Sequence, residues 1–161
     1  MRRLKQLRSE QGGVAAVEFA LASLFMFVVI MVGLDFGLYA QQKLRLGGAV
    51  AQAAILAYNT QVGTSTSVIS SYVQTAAKTI KTPTVTITCN GTTTCGDGKC
   101  SCLTSTGGFT IAASCNAACS SGAISGNYLK IVAAAVYPSM IVPDKYLGGS
   151  TITQSAVVRL Q

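Results

Sequence analysis

Few side chains in this sequence could do chemistry, and their identities narrow what that chemistry can be. The 161 residues include no histidine. That removes the commonest general base, the commonest metal ligand and every Ser-His or Cys-His pair. There are five carboxylates: Glu10, Glu18, Asp35, Asp97 and Asp144. Glu10 sits in a short basic leader, and Glu18 and Asp35 lie within and at the end of a long apolar run. Only Asp97 and Asp144 remain, both in loops punctuated by glycine or proline. Paired-carboxylate catalysis, carboxylate-held metals and phosphoryl transfer all lack parts. The residue types argue against an enzyme and imply no cofactor.

The other reactive side chains are six cysteines, Cys89, Cys95, Cys100, Cys102, Cys115 and Cys119. Their count is even, and their neighbours are Gly, Thr, Ser and Asn. No C-x2-C pair and no histidine accompanies them, so disulfides are favoured over a zinc site or a redox-active pair. The stretch has few large apolar residues, so cross-links are needed to order it. The short loop Cys95 to Cys100 and the pair Cys115 and Cys119 are the expected local closures. The overall connectivity stays open.

These groups must be positioned by a chain that is half apolar and only 11% charged. A soluble domain carries about a quarter charged residues. The apolar excess is concentrated from Val14 to Leu34, which carries one charge, Glu18, and no proline. At ~1.5 Å per residue this run covers ~31 Å, the thickness of a bilayer core. It is too long for the apolar region of a cleaved secretory signal. The net charge of +7 forms no stripe interleaved with aromatics, so nucleic acid is not an expected partner. Arg2, Arg3, Lys5 and Arg8 precede the apolar run, and only Lys43 and Arg45 follow it closely. That asymmetry places the N-terminus in the cytoplasm and the rest in the oxidising periplasm.

Glu18 lies inside the apolar run, where a carboxylate costs up to about 2–3 kcal/mol. It follows Gly12-Gly13-Val14-Ala15-Ala16-Val17 and precedes Phe19, directly after the basic leader. This pattern resembles the class III signal of type IV prepilins. The resemblance implies cleavage between Gly13 and Val14 by a prepilin peptidase, which makes Glu18 the fifth mature residue. Glycine before the bond eases an extended backbone at a protease site. The freed α-amine can pair with a carboxylate on a neighbouring helix in lipid. Within that group, Gly12 to Tyr58 is similar to the TadE-like pseudopilins of the tight-adherence (Flp) pilus system. Ala15 to Ala20 carry the first shared element and Asp35-Phe36-Gly37 the second. Asp35 stands where the family usually has Glu, and Phe19 where the major pilins usually have Tyr. The chain is also longer than those major pilins, which favours a minor pseudopilin. The resemblance implies a non-enzymatic inner-membrane subunit that assists assembly of a pilus or related secretion filament and is itself open to incorporation into an extracellular pilus. Its implied partners are the prepilin peptidase, other pilins and the inner-membrane assembly platform. A signal-anchored periplasmic adhesin or binding domain is the alternative.

The organisation expected is an α+β ladle. A leader (1–13) precedes a transmembrane helix (14–40) and a helical extension (41–58). A periplasmic domain (59–161) follows, with its cysteine-rich insert at 89–119. The extension is apolar nearly all round. Leu44, Gly48, Ala51, Ile55 and Tyr58 share one face, while Leu46, Ala49, Val50 and Ala53 lie on others, so cover is required. Gly33 and Gly37, flanking Asp35, are either close-packing positions or a local kink, and Gly47-Gly48 likewise. A second helix is expected over Ser67 to Lys81, ended by Pro83. Strands are expected at Thr84 to Cys89, Phe109 to Ala113, Asn127 to Tyr137 and Thr151 to Leu160. Gln154 and Val157 break the alternation of the last.

Overall fold

The computed structural model describes residues 11–60, 65–92, 95 and 99–160. Most of the leader, part of the linker after the long helix, and Asp97 lie outside these residues. The first helix, α1 (Gln11–Thr60), runs unbroken for 50 residues, which is ~75 Å at helical rise. A second helix, α2 (Thr66–Ala77), packs on it. A three-stranded antiparallel sheet of β1 (Thr84–Cys89), β4 (Tyr128–Val136) and β5 (Thr151–Arg159) follows in the order β1-β4-β5. A separate hairpin pairs β2 (Ser101–Leu103) with β3 (Phe109–Ile111). This is the α+β ladle expected from the sequence.

The sheet forms where apolar residues alternate. In β4, Leu129, Ile131, Ala133 and Ala135 are buried while Lys130, Val132 and Ala134 are only half-buried. Ile131 pairs with Ile87 of β1 and Ala156 of β5, which puts one apolar row across the middle of the sheet. That row meets Leu46, Ala49, Val50, Ala53 and Ala57 of α1 and Ile69, Val73 and Ala77 of α2 in a single core. Alanines on both surfaces let helix and sheet approach closely. Gln154, which breaks the β5 pattern, lies over the helix at Gly47. A Cβ there would sit 3.7 Å from its Oε1, an ordinary contact.

The fold covers one side of the α1 extension only. Leu44 is 76% exposed and Ile55 61%, and Gly48, Ala51 and Tyr58 are exposed with them. The all-round apolarity therefore divides into an inward face that the domain uses and an outward face that it leaves bare.

Two expectations about elements fail. The second helix stops at Ala77 rather than at Lys81, because Lys78 adopts the left-handed conformation at φ 44°. The strand β2 was not expected, since Ser-Cys-Leu is too short to show alternation.

The cysteine-rich segment is a small stapled module. Its disulfides are Cys89–Cys95, Cys100–Cys115 and Cys102–Cys119. The expected closures Cys95–Cys100 and Cys115–Cys119 are therefore incorrect. Cys95 turns back to the end of β1, where Cys89 and Thr92 exchange backbone hydrogen bonds of 2.7 and 2.8 Å. Cys100 and Cys102 flank Ser101, which exchanges backbone hydrogen bonds with Gly126. That pairing brings the segment from Cys115 to Cys119 alongside β2. Asn90, at φ 53°, joins module to sheet. Its Oδ1 accepts the Tyr128 N–H at 2.9 Å, and its Nδ2 donates to the Lys99 carbonyl at 2.7 Å. The buried Ser125 hydroxyl accepts the Ala117 N–H and donates to the Ser114 carbonyl, both at 2.8 Å. Arg159 at the end of β5 donates to Asn116 Oδ1 and the Ser125 carbonyl, both at 3.1 Å.

Peptide mapping without reduction should recover these three pairs, and a Cys95–Cys100 or Cys115–Cys119 peptide would contradict the fold. Ile131→Ala, which opens a cavity in the centre of the core, should cost about 3–4 kcal/mol of unfolding free energy. Leu44→Ala on the bare face should change it by less than about 0.5 kcal/mol. Chemical denaturation in detergent compares the two.

Candidate functional site

The site implicated by the sequence is the first half of α1. Val14 to Ile30 are exposed throughout, with no part of the fold against them. The most apolar window of the helix is 0% buried, and the helix is long and apolar enough to cross a membrane. A core helix of a soluble protein would be mostly covered. The chain is anchored in a membrane through this helix. Gly13, Val14, Glu18 and Phe19 all lie on the bare stretch and on one helix. Glu18 stands five residues, ~7.5 Å of rise, beyond Gly13. The Gly13 backbone is helical here.

Cover begins at the C-terminal end of the apolar run. Met31 and Val32 are half-buried, and Val32 packs against the core. Asp35 is 1% exposed. A carboxylate removed from water this completely requires compensating donors. The Tyr137 hydroxyl, just after β4, donates to Oδ1 at 2.7 Å and lies 3.0 Å from the Asp35 main-chain carbonyl. Three successive backbone N–H groups donate to Oδ2: Met140 at 3.1 Å, Ile141 at 3.0 Å and Val142 at 2.9 Å. Consecutive N–H groups turned to one point form an anion-binding nest. Hydrogen bonds to an ionised acceptor are about twice as strong as neutral ones. The loop between Pro138 and Pro143 is thus folded around one helix carboxylate. The Tyr39 ring, one turn further along α1, meets Tyr137 edge-on at 5.5 Å. Burial first, then the adjacent Asp35 carboxylate, pushes the Tyr137 hydroxyl up to about 12.

Gly33 and Gly37 have nothing from this chain within 4 Å of an added Cβ, so their faces are open. Within one chain the structure therefore brings Asp35 together with Tyr137 and the 140–142 backbone, and not with the glycines. Sequence reasoning missed these partners because three of the four donors are main-chain N–H groups, which no residue type reveals. The available signal was a charge placed directly after a bilayer-length apolar run. The six cysteines are all in disulfides, at the far end of β4 from this site. Among the described residues no three His, Cys, Asp or Glu side chains gather as a metal-ligand set.

Asp35→Ala should destabilise the C-terminal domain by about 3–5 kcal/mol, since it removes the carboxylate that three successive backbone N–H groups and the Tyr137 hydroxyl share. Tyr137→Phe should cost about 1.5–3 kcal/mol. Tyr137 holds its proton more tightly folded than unfolded, where a tyrosine titrates near about 10. Its contribution is present below pH ~10 and lost as pH rises towards about 12. Ultraviolet titration should show one phenolate forming near pH 12 that is missing from Tyr137→Phe.

Comparison with known proteins bears on the bare stretch. No significant match is found among curated proteins or among solved structures. Residues 13–54 match the family model described as TadE-like protein. That match begins at Gly13, runs through Glu18 and Asp35, and ends on the α1 surface that the sheet covers, so the similarity to TadE-like proteins lies along the helical stalk of this membrane-anchored chain.

Proposed function

We propose that this protein is a minor pseudopilin-like subunit that assists assembly of a Flp or type IV-like pilus, or of a related secretion filament. The observation that carries the reading is a coincidence of two stretches. The residues that match the TadE-like family are the same helix that the fold leaves bare from Gly13 to Ile30. A helix that apolar is stable only in lipid or against other helices. The outward face at Leu44, Gly48, Ala51, Ile55 and Tyr58 extends the bare surface past the bilayer, which supports packing against the stalks of like subunits.

The mechanism is assembly by packing. A prepilin peptidase cuts between Gly13 and Val14 on the cytoplasmic side, leaving an α-amine at the foot of the stalk. Glu18 then pairs with the amine of a neighbouring stalk, and each charge offsets the other's cost in lipid. The outer domain, periplasmic under the positive-inside asymmetry, caps, primes or docks the growing filament on the inner-membrane assembly platform. The disulfides suit that oxidising compartment.

Intact-mass analysis and N-terminal sequencing of the protein from membranes should find Val14 first, and Gly13→Val should leave it unprocessed. A chain retaining Met1 in cells with an active prepilin peptidase would favour the signal-anchored adhesin reading. Glu18→Ala should insert as well as wild type or better, because it removes a charge from lipid. Co-purification with partner pilins should fall at least several-fold. Normal assembly by Glu18→Ala would make Glu18 a mere interfacial residue.

A further inference from the structure

The loop that wraps Asp35 presents apolar side chains outward. Its main chain is turned in, with the Met140 and Ile141 N–H groups 3.1 and 3.0 Å from the Asp35 carboxylate. Their side chains are turned out: Met140 is 74% exposed and Ile141 is exposed beside it. Two large apolar side chains side by side at a loop tip are costly in water. Their height is fixed by what they bind. Asp35 directly follows Leu34, the last residue of the bilayer-length apolar run, and the fold already reaches Val32 in the final turn of that run. Met140 and Ile141 are therefore held at the level where α1 leaves the bilayer. The same loop carries Tyr146, exposed, with the Lys145 ammonium 4.8 Å over its ring. An aromatic ring with a cation suits the headgroup region.

We infer that the 138–146 loop is a second membrane contact, in which Met140 and Ile141 insert into the outer-facing leaflet beside α1. The occupant of this surface is lipid rather than protein, because the surface is continuous with the membrane-spanning face of α1 and is set at its exit. The Asp35 carboxylate holds the loop there while the loop screens the charge from the lipid it touches. This inference rests on the membrane-anchored reading of α1 and is independent of whether the chain enters a filament. It makes the outer domain sit against the membrane before any assembly rather than swing above it.

The chain has no tryptophan, so single indoles report without background. Full-length Met140→Trp, Ile141→Trp, Phe27→Trp and Ile111→Trp proteins are placed in vesicles of phosphatidylcholine and phosphatidylglycerol. A matched set contains phosphatidylcholine brominated on its acyl chains near the headgroup. Phe27 lies mid-span, and Ile111 is 77% exposed in the stapled module at the far end of the sheet. Met140→Trp and Ile141→Trp should emit to the blue of Ile111→Trp and lose at least half their intensity to the brominated lipid. Ile111→Trp should lose almost none, although its indole has the same intrinsic preference for lipid. Red-shifted, unquenched emission at both loop positions, with Phe27→Trp emitting to the blue of Ile111→Trp, overturns the loop contact and leaves the anchor standing. Phe27→Trp emission as red as that of Ile111→Trp overturns the anchor and the loop contact together. Unreduced disulfide mapping of each variant shows that the domain has folded.

Discussion

The structure depends on one buried carboxylate. Without Asp35 the domain would be tied to the apolar helix by packing and by two glutamine acceptors, Gln42 Oε1 for the Ile80 N–H at 3.3 Å and Gln52 Oε1 for the Tyr72 hydroxyl at 2.8 Å. With it, a loop more than a hundred residues away in sequence is bound to the stalk by one hydroxyl and three successive backbone N–H groups. The arrangement is also directional. Packing between alanine-rich surfaces tolerates sliding, because neither surface has deep relief to interlock. A charge satisfied by four donors does not, since a shift of one turn would strand all of them in a low-dielectric site. Asp35 thus sets how far along α1 the sheet sits.

That register matters because α1 occupies two solvents in succession. Its first part is bare and apolar throughout, and its second part is apolar towards the sheet and apolar again on the outward face. A soluble domain would be poorly served by Leu44, Ile55 and Tyr58 in water. A subunit whose stalk ends up among other stalks is not. The stapled module has the opposite character. Three disulfides, Asn90 and the buried Ser125 hydroxyl order a segment with almost no apolar core of its own. The parts that could meet partners are therefore built differently, one by withheld burial and one by covalent constraint.

Much of this was legible in the residues. Thr84 to Cys89 alternates cleanly and is a strand over those same residues. The rows Leu129-Ile131-Ala133-Ala135 and Val85-Ile87 face the core as their periodicity implies. The long helix was legible from its length and lack of proline. What was not legible depends on contacts between distant segments. The disulfide pairs follow from where β2 lies beside the 115–119 segment, which no spacing encodes. The inward turn of Gln154 follows from the space above Gly47. The apolar faces of α1 could be enumerated, but which one the sheet would choose could not, because both have helical periodicity. Asp35 could be noticed, yet its donors are main-chain atoms common to every sequence.

The unbroken helix has a mechanical consequence. α1 enters the domain without a hinge, and the Asp35 collar grips it directly after its bilayer-length apolar run ends at Leu34. Stalk and sheet then behave as one lever whose fulcrum lies at the membrane surface. A tilt of the stalk imposed by neighbours in the bilayer is delivered, undamped by any linker, to the opposite end of the molecule, where the disulfide-stapled module would swing through the largest arc.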